Sequence, residues 1–243
     1  MSCDLIDAAP SRRALAHMAD RWESYRLRDL ARASGVAALA ALAAPALAGE
    51  PPPGFARLSE TAPGVAQEMR YAGSNNFTGA PVPGYRAAQC WLRLDAARAL
   101  AAAQAEARAK GFDLVVYDCY RPIRAVAAFV DWSKNDDERT KPAYYPNVTK
   151  RELFAQGYIA EKSGHSTGLA VDLGVKGWDF GTPFDFFDRR SWTGALKRGV
   201  ARLNRARLVA LMRRHGFDNY PREWWHFTLH GAKNVESRDV EIE

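Results

Sequence analysis

Cysteine is scarce. Three in 243 residues are too few for a miniature scaffold that replaces its core with bridges. Glycine and proline, at 18 and 13 residues, do not reach a collagen-like composition. With 47% hydrophobic and 11% aromatic residues, the chain is not a disordered polymer either. Its most apolar run, Gly35 to Leu47, has 13 residues, short of the roughly 20 that a bilayer-spanning helix needs. Also missing is a basic stripe interleaved with exposed aromatics on a recognisable module, which nucleic-acid binding would require. Beyond the first fifth, no internal repeat, long linker or second compositional block divides the chain. What is left is an ordinary globular mixture, enough for one sizeable core.

The first fifth differs from the rest. An arginine-bearing segment (Arg21, Arg26, Arg28, Arg32) precedes the run GVAALAALAAPAL, and Ala46-Leu47-Ala48 follows it. A basic region, a short apolar run and a small-x-small site together read as a secretory signal with an extended N-terminal region. Cleavage is expected after Ala48, so that residues 1–48 are the signal and residues 49–243 the working domain, exported to the periplasm or beyond the membrane. The competing reading, an alanine-rich amphipathic helix on the folded domain, is weakened by the lack of a polar face and by Pro45. Without residues 1–48 the chain keeps 28 of its 34 basic and 23 of its 28 acidic residues, a net of +5. That scattered excess suits solubility and attraction to anionic polymers such as cell wall.

Two cysteines remain in the exported part, Cys90 and Cys119. An even pair in an exported chain is a disulfide candidate, worth about 3 kcal/mol in the chain-entropy model. Two buried, inert thiols are the alternative.

Along the rest of the chain, Leu94 to Lys110 predicts an alanine-rich helix closed by Gly111. Phe112 to Tyr117 predicts a short strand, followed by the polar turn Asp118-Cys119-Tyr120-Arg121-Pro122 and a helix over Ile123 to Trp132. Leu169 to Val175 and Trp224 to Leu229 predict strands, and Leu203 to His215 a helix ending at Gly216. The expectation is a single α+β domain.

Five histidines are few enough to weigh one by one. His17 leaves with the signal, His215 suits a helix C-terminus, and His230 at a strand end reads as a surface residue. His165 lies in Ser163-Gly164-His165-Ser166-Thr167-Gly168, just before the strand LAVDLGV that carries Asp172. A carboxylate in an apolar strand is costly unless it is paired or bound to a cation. On the last strand His226, Thr228 and His230 share one face, with Glu223 ahead of them. Two histidines and a carboxylate with a fourth position open form the usual ligand set of a catalytic zinc. Glu223, near His226 but not needed as a ligand, is placed to act as the acid–base group. Spacing alone leaves open that His165 is a turn residue and His226 a satisfied core histidine.

The pattern Ser163-x-His165-x6-Asp172, with Glu223-x-Trp225-His226 downstream, resembles the zinc D-alanyl-D-alanine peptidases, a family of D,D-carboxypeptidases and D-Ala-D-Ala dipeptidases. Three further segments resemble its dipeptidase branch: Arg70-Tyr71-Ala72 with Asn76-Phe77-Thr78-Gly79, Asp118-x-Tyr120-Arg121-Pro122, and Gly181-Thr182-Pro183-Phe184-Asp185-Phe186. The resemblance implies a single domain of the hedgehog-like type, with a central antiparallel sheet flanked by helices. It implies one zinc ion per chain on His165, Asp172 and His226, with Glu223 as the general base. Arg121 would stabilise the oxyanion, and Tyr71, Ser163 and Asp185 would bind the dipeptide, with Asp185 near its free amino terminus. Cys119 stands where many relatives have glycine, which fits a bridge to Cys90, and Gly164 replaces a serine that some relatives carry.

The expected activity is hydrolysis of D-Ala-D-Ala to two D-alanines, with no nucleic-acid partner and no membrane span in the mature protein. The rivals are a carboxypeptidase or endopeptidase acting on peptidoglycan stem peptides, and an inactive cell-wall-binding module. A binder has no need of Glu223.

Overall fold

The computed structural model describes residues 49–231 and 235–243. The expected export signal and its cleavage point at Ala48 lie outside the described residues. Two sheets organise the described chain. The smaller pairs β1 (Phe55–Arg57) antiparallel with β3 (Trp91–Arg93), and a one-turn helix α1 (Leu58–Thr61) follows β1 directly. The larger has five strands: β2 (Ala66–Gln67), β4 (Leu114–Asp118), β5 (Ala170–Val175), β6 (Phe217–Asn219) and β7 (His226–Leu229), in the spatial order β2-β4-β5-β7-β6.

The expected antiparallel sheet is present in the pairs β4–β5, β5–β7 and β7–β6, whereas the edge strand β2 runs parallel to β4. A parallel pair needs a long crossover. The chain supplies one between Gln67 and Leu114, and it carries the helix α2 (Leu94–Ala109). Strand β5 lies at the centre, and all six of its residues are buried, as befits a near-continuous apolar run covered on both faces.

Helix α2 buries Ala96, Ala97, Leu100, Ala103, Gln104 and Ala107, one stripe at helical spacing. Its polar member, Gln104, accepts from the Leu114 N–H (2.9 Å) and donates to Asp113 (2.7 Å), which docks the helix onto the start of β4. Gly111, with φ +83°, ends the helix as expected. Helix α3 (Ile123–Trp132) occupies the predicted range, starts after Pro122 and buries Ala125, Val126, Phe129 and Trp132. Two short helices, α4 (Lys141–Tyr144) and α5 (Lys150–Ala155), follow in the connection to β5. Helix α6 (Val200–Arg214) begins earlier than the sequence suggested, directly after Gly199. Phe180 stacks on Trp224 at 4.1 Å, and Phe184 and Phe187 are buried too, so this aromatic segment is core and wall.

Candidate metal centre

Three strands bring the polar residues together. Asp172, at the middle of β5, pairs with His226 at the start of β7 on one side and with Asp118 at the end of β4 on the other. Partners across a ladder point to the same face. The last of these pairings depends on a bulge: Val116 faces Leu173, yet Asp118, not Tyr117, faces Asp172. The extra residue turns Asp118 onto the face of Asp172 and His226.

His165 arrives from a 3-10 turn, Gly164–Thr167, in which the Ser163 hydroxyl accepts from the His165 N–H. Gly168 then reverses the chain into β5 with φ +78°, and a Cβ there would collide with the Phe55 ring. Only glycine meets both demands.

His165 Nδ1 lies 2.7 Å from the Cys119 carbonyl. A carbonyl only accepts, so Nδ1 carries the proton and Nε2 presents its lone pair. That Nε2 is 3.1 Å from His226 Nδ1 and 3.3 Å from Asp172 Oδ1, and the last two atoms are 3.0 Å apart. Two ligands of a tetrahedral metal ion at about 2.0–2.1 Å lie about 3.3 Å from one another. Two imidazoles and a carboxylate at this spacing form a group that could hold a metal ion. Burial first, with the charge of Arg121, pushes the His226 pKa down against Asp172, which favours the neutral, ligating imidazole.

Glu223, in the turn before β7, places Oε2 3.9 Å from His226 Nδ1. Its carboxyl is pushed well up, first by burial and then by the negative charges of Asp172 and Asp185, with Arg121 opposing. Arg121 donates through Nε (3.0 Å) to Asp118 Oδ2, and its Nη2 lies 2.8 Å from the same oxygen. Its Nη1 reaches the Ser163 hydroxyl at 3.5 Å. The guanidinium also lies 5.1 Å from the centres of the Tyr71 and Phe129 rings, close enough for cation–π attraction. Arg121, Ser163, His165, Tyr220, Glu223 and His226 line one cavity of about 330 Å³. A larger groove of about 590 Å³ runs along α6, but its wall carries no carboxylate or imidazole, so size does not mark the site.

A family model described as D-ala-D-ala dipeptidase, of the peptidase M15 group, matches residues 53–242. The chain belongs to this family. The D-alanyl-D-alanine dipeptidase of Enterococcus faecium is 39% identical over 186 residues, covering 72% of this chain and 91% of that one. That of Streptomyces coelicolor is 39% identical over 188 residues, with the same coverage of both chains. That of Escherichia coli is 35% identical over 175 residues, covering 69% and 80%. Among solved structures, a vancomycin-resistance D,D-pentapeptidase in complex with zinc superposes with a TM-score of 0.39 at 19% identity, covering 60% of this chain and 76% of that one.

Within the M15 frame, the structure brings together His165, Asp172, His226, Glu223, Arg121 and Ser163. Tyr71 and Asp185 are as buried as His165 and Asp172, each 2% exposed, and the Tyr71 hydroxyl donates to Asp185 (3.0 Å to Oδ2). Asp185 is the one non-glycine residue with positive φ among the described residues, at +59°, a conformation that aspartate tolerates better than most. Burial, then the charge of Asp172, pushes its pKa well up against the Tyr71 hydrogen bond. Cys90 and Cys119 form a disulfide, with Cα atoms 5.3 Å apart. His230 pairs with Asp218 at the surface, as a surface histidine should.

Sequence reasoning gave no role to Asp118, although it is fully buried and central. It accepts from the Tyr85 hydroxyl (2.7 Å) as well as from Arg121. The available signal was the one that exposed Asp172: a carboxylate set directly against an apolar strand.

Proposed function

We propose that this chain is a zinc-dependent D-alanyl-D-alanine dipeptidase. The observation that carries the reading is the convergence of three metal-donor atoms beside a cavity lined by Glu223 and Arg121, in a chain of the M15 family. The donor set of His165, Asp172 and His226 suits one zinc ion per chain. When bound, zinc supplies Lewis acidity that lowers the pKa of water to about 7.

The chain's own residues do the rest. Glu223 takes the proton of the attacking water and returns it to the leaving amine. A carboxyl pushed up by burial holds a proton closer to neutral pH, where such transfer is most efficient. Arg121 donates to the oxygen on which negative charge develops, and Asp118, which accepts from its Nε at 3.0 Å, fixes the direction of its guanidinium beforehand. Ser163, within reach of Arg121, and Tyr71 complete the dipeptide site. Asp185 pairs with the free ammonium of the substrate. It has a hydroxyl partner but no ion pair among the described residues, and an ammonium relieves the cost of burying it.

We also infer that residues 49–243 are the working domain and that it is exported. The family match starting at residue 53 supports the first point. The Cys90–Cys119 bridge supports the second, since such bridges persist in oxidising compartments. Among the described residues no helix is long and apolar enough to cross a membrane.

The test is to incubate the mature protein and zinc with D-Ala-D-Ala and, separately, with a peptidoglycan stem pentapeptide, and to follow D-alanine. Release from the dipeptide supports the reading. Release from the pentapeptide alone overturns it in favour of a stem-peptide carboxypeptidase.

A further inference from the structure

The turn after β4 does more than carry Arg121. It is stitched to His165 twice: the imidazole Nδ1–H donates to the Cys119 carbonyl (2.7 Å), and the Arg121 N–H donates to the His165 carbonyl (3.2 Å). Asp118 Oδ2 also faces His165 Nδ1, but at 3.4 Å. The shorter contact is the carbonyl, so the backbone at Cys119 sets the orientation and tautomer of the ring.

The large sheet holds that backbone only up to Asp118, which pairs with Asp172 beyond the register break at Tyr117. The turn from Cys119 onward lies past the end of the ladder. It is fastened instead to the segment at the start of β3, by the Cys90–Cys119 bridge and by the Tyr120 N–H donating to the Trp91 carbonyl (2.9 Å). That segment is anchored in turn: the Cys90 N–H donates to Gln67 Oε1 (2.8 Å), and the Cys90 carbonyl accepts from the Leu58 N–H (2.9 Å). Both cysteines, Trp91 and Tyr120 are at most 1% exposed, so water does not compete for these bonds.

We propose that the Cys90–Cys119 disulfide is a positioning element of the metal centre. By fixing the Cys119 carbonyl, it holds the His165 ring so that Nε2 points at the metal. Metal affinity therefore depends on the bridge, over and above any effect of the bridge on global stability. The inference rests on the reading that His165, Asp172 and His226 hold the metal.

The experiment measures zinc affinity of the metal-free protein by competition with a chelating dye at 25 °C. Wild type is compared with the Cys90→Ala/Cys119→Ala double variant and with Leu208→Ala, a core truncation in α6 (1% exposed) that serves as a control for lost stability. Circular dichroism checks that each is folded. The double variant should bind zinc roughly 10–100-fold more weakly, the usual effect of losing an outer partner of a metal ligand. Leu208→Ala should stay within about threefold of wild type, because its effect on stability does not reach the ligands. In the double variant, hydrogen exchange should quicken in the amides of residues 119–121.

Affinity of the double variant within about threefold of wild type would overturn the inference, as would an equal loss in Leu208→Ala. If wild type itself failed to bind zinc, the metal reading would fall first and this inference with it. Should the double variant not fold, wild type treated with a phosphine gives the same comparison. There the S–S bond becomes two thiols while the phosphine takes oxygen from water, and alkylation mass shifts count the thiols.

Discussion

Glu223 and Asp118 are both buried carboxylates beside the same candidate metal ligands, yet they call for different outcomes on neutralisation. Glu223 faces the cavity and makes no hydrogen bond to Arg121, so Glu223→Gln should leave metal content unchanged. It should lower turnover of D-Ala-D-Ala by roughly 10²–10⁴, the range for losing a positioned acid–base group; metal analysis and D-alanine release check the two halves. Asp118 acts through Arg121, which it holds at 2.8–3.0 Å. Asp118→Asn keeps the shape and removes the charge. Turnover should fall about 10–100-fold with KM little changed, and zinc affinity should persist because the Cys119 carbonyl still orients His165. Asp172 was legible as a functional residue because a carboxylate amid Ala170, Val171, Leu173 and Val175 has no apolar explanation. Asp118 carried the same signal more weakly, at a strand end where a polar turn was the simpler account.

At the scale of single elements, two turns carry testable consequences. The reversal at Gly168 combines a left-handed backbone with contact against Phe55. Gly168→Ala should cost about 2–4 kcal/mol from backbone strain and overpacking together, read as a shift in denaturant midpoint, and it should weaken metal binding by moving His165. The second is the 3-10 turn Arg189–Ser191, capped by Asp188, which accepts from the Arg190 N–H (2.8 Å), Arg190 Nε (2.9 Å) and the Asn147 amide. Burial pushes the Asp188 carboxyl up, but the hydrogen bonds from Arg190 and Asn147 outweigh it and hold the pKa below the ordinary 3.8. A carboxyl depressed on folding contributes stability that is present above pH about 3.8 and is lost as pH falls from there through the folded value. Asp188→Asn should therefore be less stable than wild type at pH 6, with the gap closing below pH 4 in urea titrations. The helices α2 and α3 were legible almost to the residue because their apolar stripes and stops are local. Strand β7 was not. Trp224 and Trp225 have strand-like side chains, but the Glu223 N–H bonds back to Tyr220, so the chain is still turning there and the strand starts at His226.

For the molecule as a whole, donor atoms of His165, Asp172 and His226, brought from three distant parts of the chain, lie within 4.8 Å of one another. A divalent ion that binds only this folded arrangement stabilises it by mass action. Zinc at 100–1,000 times its dissociation constant should add about 2.7–4.1 kcal/mol. Its removal by a chelator should then lower Tm by roughly 5–15 °C at about 2–4 °C per kcal/mol for a domain of this size. Calorimetry with and without chelator decides it, and an unchanged Tm would argue against a metal-linked core.

The scarcity of cysteine, the helix stripes, the apolar strands and the ligand-bearing motifs are properties of near neighbours along the chain. The sequence by itself therefore determined the α+β class and the identity of the metal-donor candidates. Tertiary structure decided which of those residues share a face. The bulge at Tyr117 turns Asp118 toward Asp172, and a two-residue edge strand runs parallel because a long crossover returns it to β4. The Cys119 carbonyl meets His165 across 46 positions of sequence. Period-2 patterning carries no mark of a bulge, and a backbone carbonyl has no letter of its own. Both become visible only when strands distant in the chain are paired.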